Sequence, residues 1–223
     1  MSYKAFLFDL NGTMIDDMEY HVKAWFDILN NDLNARLTLP QVREQMYGKN
    51  SEVLVRVFGK RKFSPMRMNE LSYEKEKRYQ ETYLPHLALI SGLETFMKKA
   101  QANHIEMAIG SAAIPFNIDF VLDNLHLRDY FTAIVSADDV EISKPHPETY
   151  LKAAEILQVS PKECVVFEDA PKGVEAAQNA GMKTVVLTTM HGPEEFAEFT
   201  NILAFVKDYN DAALNGLFAA ETP

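Results

Sequence analysis

The amino-acid sequence predicts an α/β fold: a doubly wound, Rossmann-like parallel sheet with a helical domain inserted after the first strand. From residue 92 onward, short apolar segments alternate with amphipathic helical segments, which is typical of an open α/β sheet. The apolar segments do not alternate between apolar and polar residues, as strands with one solvent-exposed face do. This indicates parallel strands that are covered on both faces. A long stretch near the amino terminus has helical patterning and no β signal.

The strands are predicted from short runs of Val, Ile, Phe and Ala, beginning with the segment Lys-Ala-Phe-Leu-Phe at 4–8. Runs of this length, bounded by turn residues, are consistent with fully buried strands. The predicted strands are 4–8, 105–109, 132–136, 164–167 and 183–187, with a weaker candidate at 202–206.

Helices are predicted between these strands because apolar residues recur at three- and four-residue spacing. Tyr150, Ala154 and Leu157, for example, lie on one face of a helix over 147–158. Gly181 follows another helical segment and is a typical carboxyl-terminal stop. The predicted helices of this part are 92–103, 115–124, 147–158 and 171–180.

Residues 16–88 form the predicted helical domain, and residues 1–15 and 89–223 form the predicted α/β core domain. The insertion leaves the carboxyl end of a strand, where α/β folds bind ligands, so it is either a cap over that site or a passive helical bundle. Its charged run 74–78 predicts a solvated helix face. The helical segments in it are 21–31, 40–47, 51–58 and 67–83.

Composition excludes several classes of function. Lys and Arg total 22 and Asp and Glu total 32, so the net charge is −10 and nucleic acid is not an expected partner. One cysteine, Cys164, excludes an internal disulfide and a multi-cysteine zinc site. No segment is long and apolar enough to span a membrane. We therefore expect a cytoplasmic monomer without a membrane partner.

Polar residues stand where two of the apolar strands end. Asp9 follows the first strand, and Gly12 then permits a sharp turn that exposes backbone N–H groups. Alone, this pattern favours the ordinary explanation, in which Asp9 only ends a strand and Asn11-Gly12 is a turn pair. Ser111 follows the strand 105–109 and precedes a helix, where a hydroxyl and backbone N–H groups suit a phosphate.

A lysine and an acidic pair follow later in the chain. Lys144 lies in a loop that Pro145 and Pro147 stiffen, so the position of its charge is restricted. Glu168 and Asp169 follow the strand 164–167, and paired carboxylates suit a hard cation such as magnesium. Each feature has an ordinary explanation as capping or turn chemistry, but their joint occurrence at strand ends indicates one phosphate-handling site.

With these motifs in this order, the sequence resembles the haloacid dehalogenase superfamily of phosphotransferases over essentially its whole length. The family pattern is an Asp-x-Asp-Gly-Thr opening, a Ser or Thr, a Lys and an acidic pair, and the chain fits it apart from position 11. The runs 144–148 and 167–174 look like the β-phosphoglucomutase-like branch. The resemblance implies a haloacid dehalogenase-type α/β core with an inserted helical cap.

The resemblance implies a role for each motif residue. Asp9 would be the nucleophile that takes the phosphoryl group as an aspartyl phosphate. Lys144 would bind the phosphoryl oxygens with Ser111 and would offset the repulsion between Asp9 and an anionic substrate. The residues that it places against the substrate are Thr13, His21, Lys49, Ser111, Ala112 and Lys144.

The resemblance also implies Mg²⁺ as the cofactor and a small phosphorylated metabolite as the partner. The metal would be held by Asp9, by the backbone carbonyl of Asn11 and by Asp169. Glu168 would stand nearby or act through a water molecule.

Position 11 departs from the family pattern at a catalytic position. The family has Asp there, which protonates the leaving oxygen and then deprotonates the attacking water. Asn11 can donate and accept hydrogen bonds, but its amide cannot carry a proton through the cycle. Three explanations stay open: a laboratory substitution, a natural enzyme with weak catalysis or another proton carrier, and a binding protein that has lost catalysis. The intact motifs favour the first two.

The cap and the serine loop bear on the substrate. In β-phosphoglucomutase a cap loop supplies an Arg for the second phosphate, and the aligned residue here is Ser51. Residues 112–114 are apolar and also lack a partner for a second phosphate. These losses argue against a mutase, although Lys49, Lys75 or Lys77 could compensate for them.

The sequence therefore predicts a phosphoric monoester hydrolase: a Mg²⁺-dependent phosphatase of a small phosphate monoester, for example a sugar phosphate, with impaired or engineered activity because of Asn11. The alternatives are a sugar-phosphate mutase and a catalytically silent phosphometabolite-binding protein.

Overall fold

The computed structural model describes residues 3–218. The chain divides into two compact units, one of Met1–Asp16 with Ala88–Pro223 and one of Asp17–Leu87. We call them the core and the helical unit. None of the helices in the described residues is both long and apolar enough to cross a lipid bilayer.

The helical unit contains four α-helices. Its helices are α1 (Met18–Phe26, followed by a π-helical turn at Asp27–Asp32), α2 (Leu39–Arg43), α3 (Asn50–Phe58) and α4 (Pro65–Tyr83). Thr38 caps α2 in a reciprocal capping box with Gln41, and Ser64 caps α4 by accepting from the N–H of Arg67. The predicted helix over 40–47 is too long, because α2 ends after one turn and a half.

The core contains a six-stranded, all-parallel sheet in the order β3-β2-β1-β4-β5-β6. The predicted doubly wound α/β class and all six predicted strands are confirmed. The chain winds outward from β1 to β3 and then returns to β4, so the strand order reverses between β1 and β4. The strands are β1 (Ala5–Phe8), β2 (Glu106–Gly110), β3 (Ala133–Val135), β4 (Cys164–Glu168), β5 (Lys183–Leu187) and β6 (Ile202–Val206).

Four α-helices complete the described part of the core. Pro115 and Pro171 begin two of them, where a missing N–H costs nothing. The last one ends before Gly181, whose φ of 75° suits the predicted glycine stop. The helices are α5 (Leu93–Ala102), α6 (Pro115–Asn124), α7 (Glu148–Leu157) and α8 (Pro171–Asn179).

The side chains of β1 alternate between two buried layers. Phe6 and Phe8 point to the layer of α5, where the ring of Phe96 lies 5.3 Å from that of Phe6. Ala5 and Leu7 point to the opposite layer, which α7 and α8 cover. By the same alternation, Asp9, the residue after β1, lies on the side of α7.

Candidate active site

The candidate site lies at the carboxyl ends of β1 and β4, where the strand order reverses. Phe8 pairs with Phe167, and the N–H of Asp9 donates to the carbonyl of Phe167 at 2.9 Å. Asp9 and Glu168 are therefore neighbours across the two strands, on the side that α7 covers. Both carboxylates are nearly buried, with 7% and 2% of their residue surfaces exposed. This is the crevice in which doubly wound folds bind ligands.

Lys144 joins the two carboxylates. Its Nζ donates to Asp9 Oδ1 at 2.7 Å and to Glu168 Oε1 at 2.8 Å. Burial alone would lower the pKa of Lys144, but the charges of Asp9 and Glu168 outweigh burial and raise it. The site therefore keeps one fixed positive charge between two negative ones.

Glu168 is held by donors on both of its oxygens. Oε1 accepts from Lys144 and from the hydroxyl of Tyr150 at 3.0 Å. Oε2 accepts from the backbone N–H groups of Asp169 and Ala170 at 2.8 and 2.9 Å, at the start of α8. A negative charge at a helix N-terminus is also favourable electrostatically. Gly173 leaves the space that this carboxylate fills, because a Cβ there would stand 2.5 Å from Oε2.

Asp169 is the third carboxylate of the cluster. Asp9, Glu168 and Asp169 each offer an oxygen atom, and these atoms lie within 4.8 Å of one another. The hydroxyl of Thr13 donates to Asp169 Oδ1 at 3.3 Å. The absent side chain of Gly12 leaves room for Asp169, because a Cβ there would stand 2.6 Å from its Cγ and closer still to its Oδ2. A set of hard carboxylate oxygens around one small space fits a cation such as Mg²⁺.

The loop after β1 is fixed by contacts that the sequence did not reveal. Gly12 has a φ of 73°, and its carbonyl accepts from the hydroxyl of Thr189 at 2.6 Å. The hydroxyl of Tyr209 donates to the carbonyl of Thr13 at 3.1 Å. Asn11 forms a backbone bridge to Ile15 inside the same loop. These contacts fix the turn that carries Asn11, two residues after Asp9.

Ser111 follows β2, the other neighbour of β1. Its N–H donates to the carbonyl of Val135 at 2.9 Å, and its Oγ accepts from the N–H of Ala113 at 3.1 Å. Ser111 is buried and Ala112 is half-buried. The structure thus brings Ser111 to the end of the strand beside Asp9, as the parallel register requires.

His21 is part of a buried network within the helical unit. Its Nε2 lies 3.1 Å from Asp17 Oδ2, its Nδ1 lies 2.6 Å from Lys75 Nζ, and its ring stacks on Tyr79. Lys75 also donates to both oxygens of Glu76 at 3.0 Å. Because an ammonium group only donates, Nδ1 accepts and Nε2 carries the proton toward Asp17.

This network corrects the reading of 74–78 as a solvated helix face. Lys75 and Glu76 are each 2% exposed, because they pair with each other and with His21. Lys75 is therefore engaged inside the helical unit rather than presented as a spare cation. Burial lowers its pKa, and the charges of Glu76 and Asp17 oppose this only in part.

Lys49 precedes α3 in the helical unit. Its N–H donates to Glu52 Oε2 at 3.0 Å, which caps the helix, and Gly48 before it has a φ of 74°. His21 and Lys49 both belong to the helical unit, so their contact with a substrate bound at Asp9 stays a prediction.

Tyr150 is a further residue at the site that the sequence pattern missed. The pattern placed it on the apolar face of a helix, which is correct, since its ring packs in the layer of Ala5 and Leu7. Its hydroxyl nevertheless reaches Glu168. Burial and the charges of Glu168 and Asp9 raise the pKa of Tyr150 well above its usual value, so the hydroxyl stays a donor.

Known proteins resemble this chain in sequence and in fold. A family profile described as haloacid dehalogenase-like hydrolase matches residues 6–187. Fructose-1-phosphate phosphatase YqaB of Escherichia coli is 30% identical over 82% of this chain and 95% of its own length. The β-phosphoglucomutase of Bacillus subtilis is 31% identical over 82% of each chain. The crystal structure of a β-phosphoglucomutase from Clostridium difficile superposes with a TM-score of 0.80 at 26% identity, covering 93% of this chain and 92% of that one.

Proposed function

The chain belongs to the haloacid dehalogenase-like hydrolases, in the β-phosphoglucomutase-like branch, and from this premise we propose that it hydrolyses a small phosphate monoester through a phosphorylated Asp9. The resemblance seen in the sequence is thereby confirmed, and the enzyme class is that of a phosphoric monoester hydrolase. One observation carries the proposal: a lysine lies between the carboxylates of Asp9 and Glu168 at the ends of two adjacent parallel strands.

Asp9 is suited to act as the nucleophile. The rigid end of β1 carries it, and Lys144 holds Oδ1, so the orientation of the carboxylate is set before the substrate arrives. The attacking oxygen forms a bond to phosphorus while the ester oxygen leaves with the bonding electrons. The leaving oxygen takes up a proton and departs as an alcohol. Water then attacks the phosphorus and loses a proton, the phosphorus–oxygen bond to Asp9 breaks, and inorganic phosphate leaves with the carboxylate regenerated.

Lys144 is suited to bind the transferring phosphoryl group with Ser111. Three carboxylates otherwise make the cluster strongly repulsive to a phosphate dianion. Two hydrogen bonds fix the position of the Lys144 ammonium group. It therefore needs little reorganisation when negative charge develops on the phosphoryl oxygens.

Mg²⁺ is the cofactor that the donor set fits. Asp9, Asp169 and the carbonyl of Asn11 would hold it, and when bound it would neutralise charge on the phosphoryl oxygens. Glu168 is better suited to hold Lys144 than to bind the metal, because each of its oxygens already accepts two hydrogen bonds.

A sugar phosphate is the substrate class we favour. The relative YqaB acts on fructose 1-phosphate by its name, and it matches this chain over most of both lengths. A relative of similar identity, at 31%, is named a β-phosphoglucomutase, so identity alone does not decide between the two reactions. The apolar residues 112–114 after Ser111 and the serine at position 51 favour hydrolysis, because neither offers a charge to a second phosphate.

Asn11 sets the rate that we expect. Acid–base catalysis is worth about 10²–10⁴-fold, so an amide at this position makes hydrolysis slow by that order unless another group moves the proton. The metal site is affected less, because the backbone of Asn11 would supply the ligand.

The proposal is tested by a panel of phosphate monoesters with Mg²⁺, assayed for phosphate release by the chain and by its Asn11→Asp variant. We expect sugar phosphates to be hydrolysed, and Asn11→Asp to raise kcat by about 10²–10⁴-fold. Bisphosphate-dependent isomerisation would identify a mutase instead. Binding without turnover in either protein would identify a silent binding protein, and an unchanged rate in Asn11→Asp would contradict the account of position 11.

A further inference from the structure

Tyr150 touches the candidate site at three places. Its hydroxyl donates to Glu168 Oε1 at 3.0 Å, on the same oxygen that Lys144 uses. Its ring centroid lies 4.6 Å from Lys144 Nζ. The ring also packs against the end of β2, because a Cβ at Gly110 would stand 3.1 Å from two of its carbon atoms. One side chain from α7 thus contacts Lys144, Glu168 and the end of the strand that precedes Ser111.

The hydroxyl of Tyr150 affects the ion pair between Glu168 and Lys144. With two donors on Oε1, the carboxylate shares its negative charge between a neutral hydroxyl and the ammonium. Its other oxygen is held by two backbone N–H groups, so the whole carboxylate is anchored. The ring face beneath Nζ adds a weak attraction that fixes the ammonium from a second direction.

We propose that Tyr150 is a positioning residue of the active site, which anchors Glu168 and thereby holds Lys144 in place for the phosphoryl group. This inference rests on the proposed function in that the phosphoryl group is taken to bind beside Lys144. Tyr150 itself touches neither metal nor substrate in this account. It acts through Glu168, and the packing of its ring against Gly110 and beside Lys144 keeps the hydroxyl aimed.

Loss of the hydroxyl leaves Glu168 Oε1 with one donor. The carboxylate is then anchored by one contact fewer, so it holds Lys144 less firmly in the position that the phosphoryl group needs. A hydrogen bond to a charged group is worth enough to change an equilibrium about tenfold. We therefore expect Tyr150→Phe to weaken the binding of inorganic phosphate about tenfold and to lower kcat/KM by a similar factor.

The test is calorimetric titration of the full-length chain with inorganic phosphate in the presence of Mg²⁺, together with urea unfolding. Tyr150→Phe keeps the ring and removes only the hydroxyl. Tyr130→Phe is the matched control in the same unit, since Tyr130 is half-buried at the end of a short turn away from the cluster. We expect phosphate affinity to fall in the first variant and to stay within twofold in the second.

A double-mutant cycle separates positioning from simple stabilisation. With Glu168→Gln the negative charge is gone, so adding Tyr150→Phe is expected to change phosphate affinity less than twofold. The same loss in both backgrounds would show that Tyr150 does not act through Glu168 and would overturn the proposal. If the Gln variant does not fold, the comparison of Tyr150→Phe with Tyr130→Phe decides alone.

The outcomes distinguish this proposal from the proposed function. Weaker phosphate binding in Tyr150→Phe, without turnover of any monoester by the parent chain, would support positioning and contradict hydrolysis. Turnover by the parent chain with unchanged phosphate affinity and kcat/KM in Tyr150→Phe would contradict positioning and leave hydrolysis standing. Failure of the parent chain to bind phosphate would overturn the positioning role.

Discussion

Replacing Gly173 with alanine tests whether the anchored position of Glu168 is required by the fold. Gly173 is the third residue of α8, and helix propensity alone predicts that alanine stabilises the protein by about 1 kcal/mol. The site predicts the opposite sign. A Cβ at this position would stand 2.5 Å from Glu168 Oε2 and closer still to Oε1, well inside van der Waals contact.

The cost follows from what Glu168 must give up. Moving its carboxylate by about an ångström breaks hydrogen bonds that are now 2.8–3.0 Å long. The side chain is buried, so the displaced charge does not reach water. Breaking a buried charge network costs about 3–5 kcal/mol. Subtracting the propensity gain of about 1 kcal/mol leaves a net loss of about 2–4 kcal/mol in the free energy of unfolding.

Urea unfolding followed by circular dichroism measures this loss. Gly216→Ala serves as the control, because Gly216 does not have a positive φ. Apart from its chain neighbours and the backbone of its own turn, no atom of the described residues lies within 4 Å of the added Cβ. The control is expected to shift the free energy of unfolding by less than about 0.5 kcal/mol. Phosphate affinity is expected to fall in Gly173→Ala only, since only that variant displaces the partner of Lys144.

A stabilisation of about 1 kcal/mol in Gly173→Ala would refute this reasoning, because it would show that Glu168 moves aside at no cost. The Glu168→Ala background sharpens the comparison. There the obstacle is gone, so Gly173→Ala is expected to recover the favourable sign of helix propensity. An equal loss in both backgrounds would locate the cost in the helix and not in the carboxylate.

Three further predictions concern other groups. Lys75→Met is expected to lower the free energy of unfolding, measured in urea, by about 3–5 kcal/mol, because it removes the buried cation that pairs with the Glu76 carboxylate. Lys77→Met, on the exposed side of the same helix, is expected to change it by less than about 0.5 kcal/mol. Burial raises the pKa of Cys164 to about 12, so its alkylation by iodoacetamide at pH 8 should be roughly a thousandfold slower than that of a free thiol and should recover in urea; rapid alkylation of the folded chain would contradict this. Mg²⁺ at a hundredfold excess over its Kd is expected to stabilise the chain by about 2.7 kcal/mol in thermal unfolding, and an undiminished effect in Asp169→Asn would argue against the carboxylate cluster as its site.

The sequence predicted the core fold because its information is local. Four- and five-residue apolar runs identify the strands, and helical spacing between them implies parallel crossovers. The weak candidate at 202–206 is a real edge strand, β6. The helical unit was less predictable: α2 stops at Arg43, and a π-helical turn continues α1. Those ends depend on local packing that composition does not encode.

The sequence by itself determined which acids and which lysine meet. Asp9, Glu168 and Lys144 were identified because polar residues at the carboxyl ends of neighbouring parallel strands, or in a stiff loop beside them, must share one edge of the sheet. It also determined that position 11 is an amide, which limits the proton chemistry whatever the fold.

Only the tertiary structure decided how each carboxylate is used. The resemblance assigned Asp169 to the metal and placed Glu168 nearby or acting through water, without naming the donors of either acid. In the structure Glu168 is bound by Lys144, Tyr150 and the start of α8, whereas Asp169 faces Gly12 and Thr13. No spacing rule connects a tyrosine on an apolar helix face to an acid at the end of a strand. The physical reason is that hydrogen bonds of a buried carboxylate are set by which donors the packed layers bring within 3 Å, and packing is a property of the whole core.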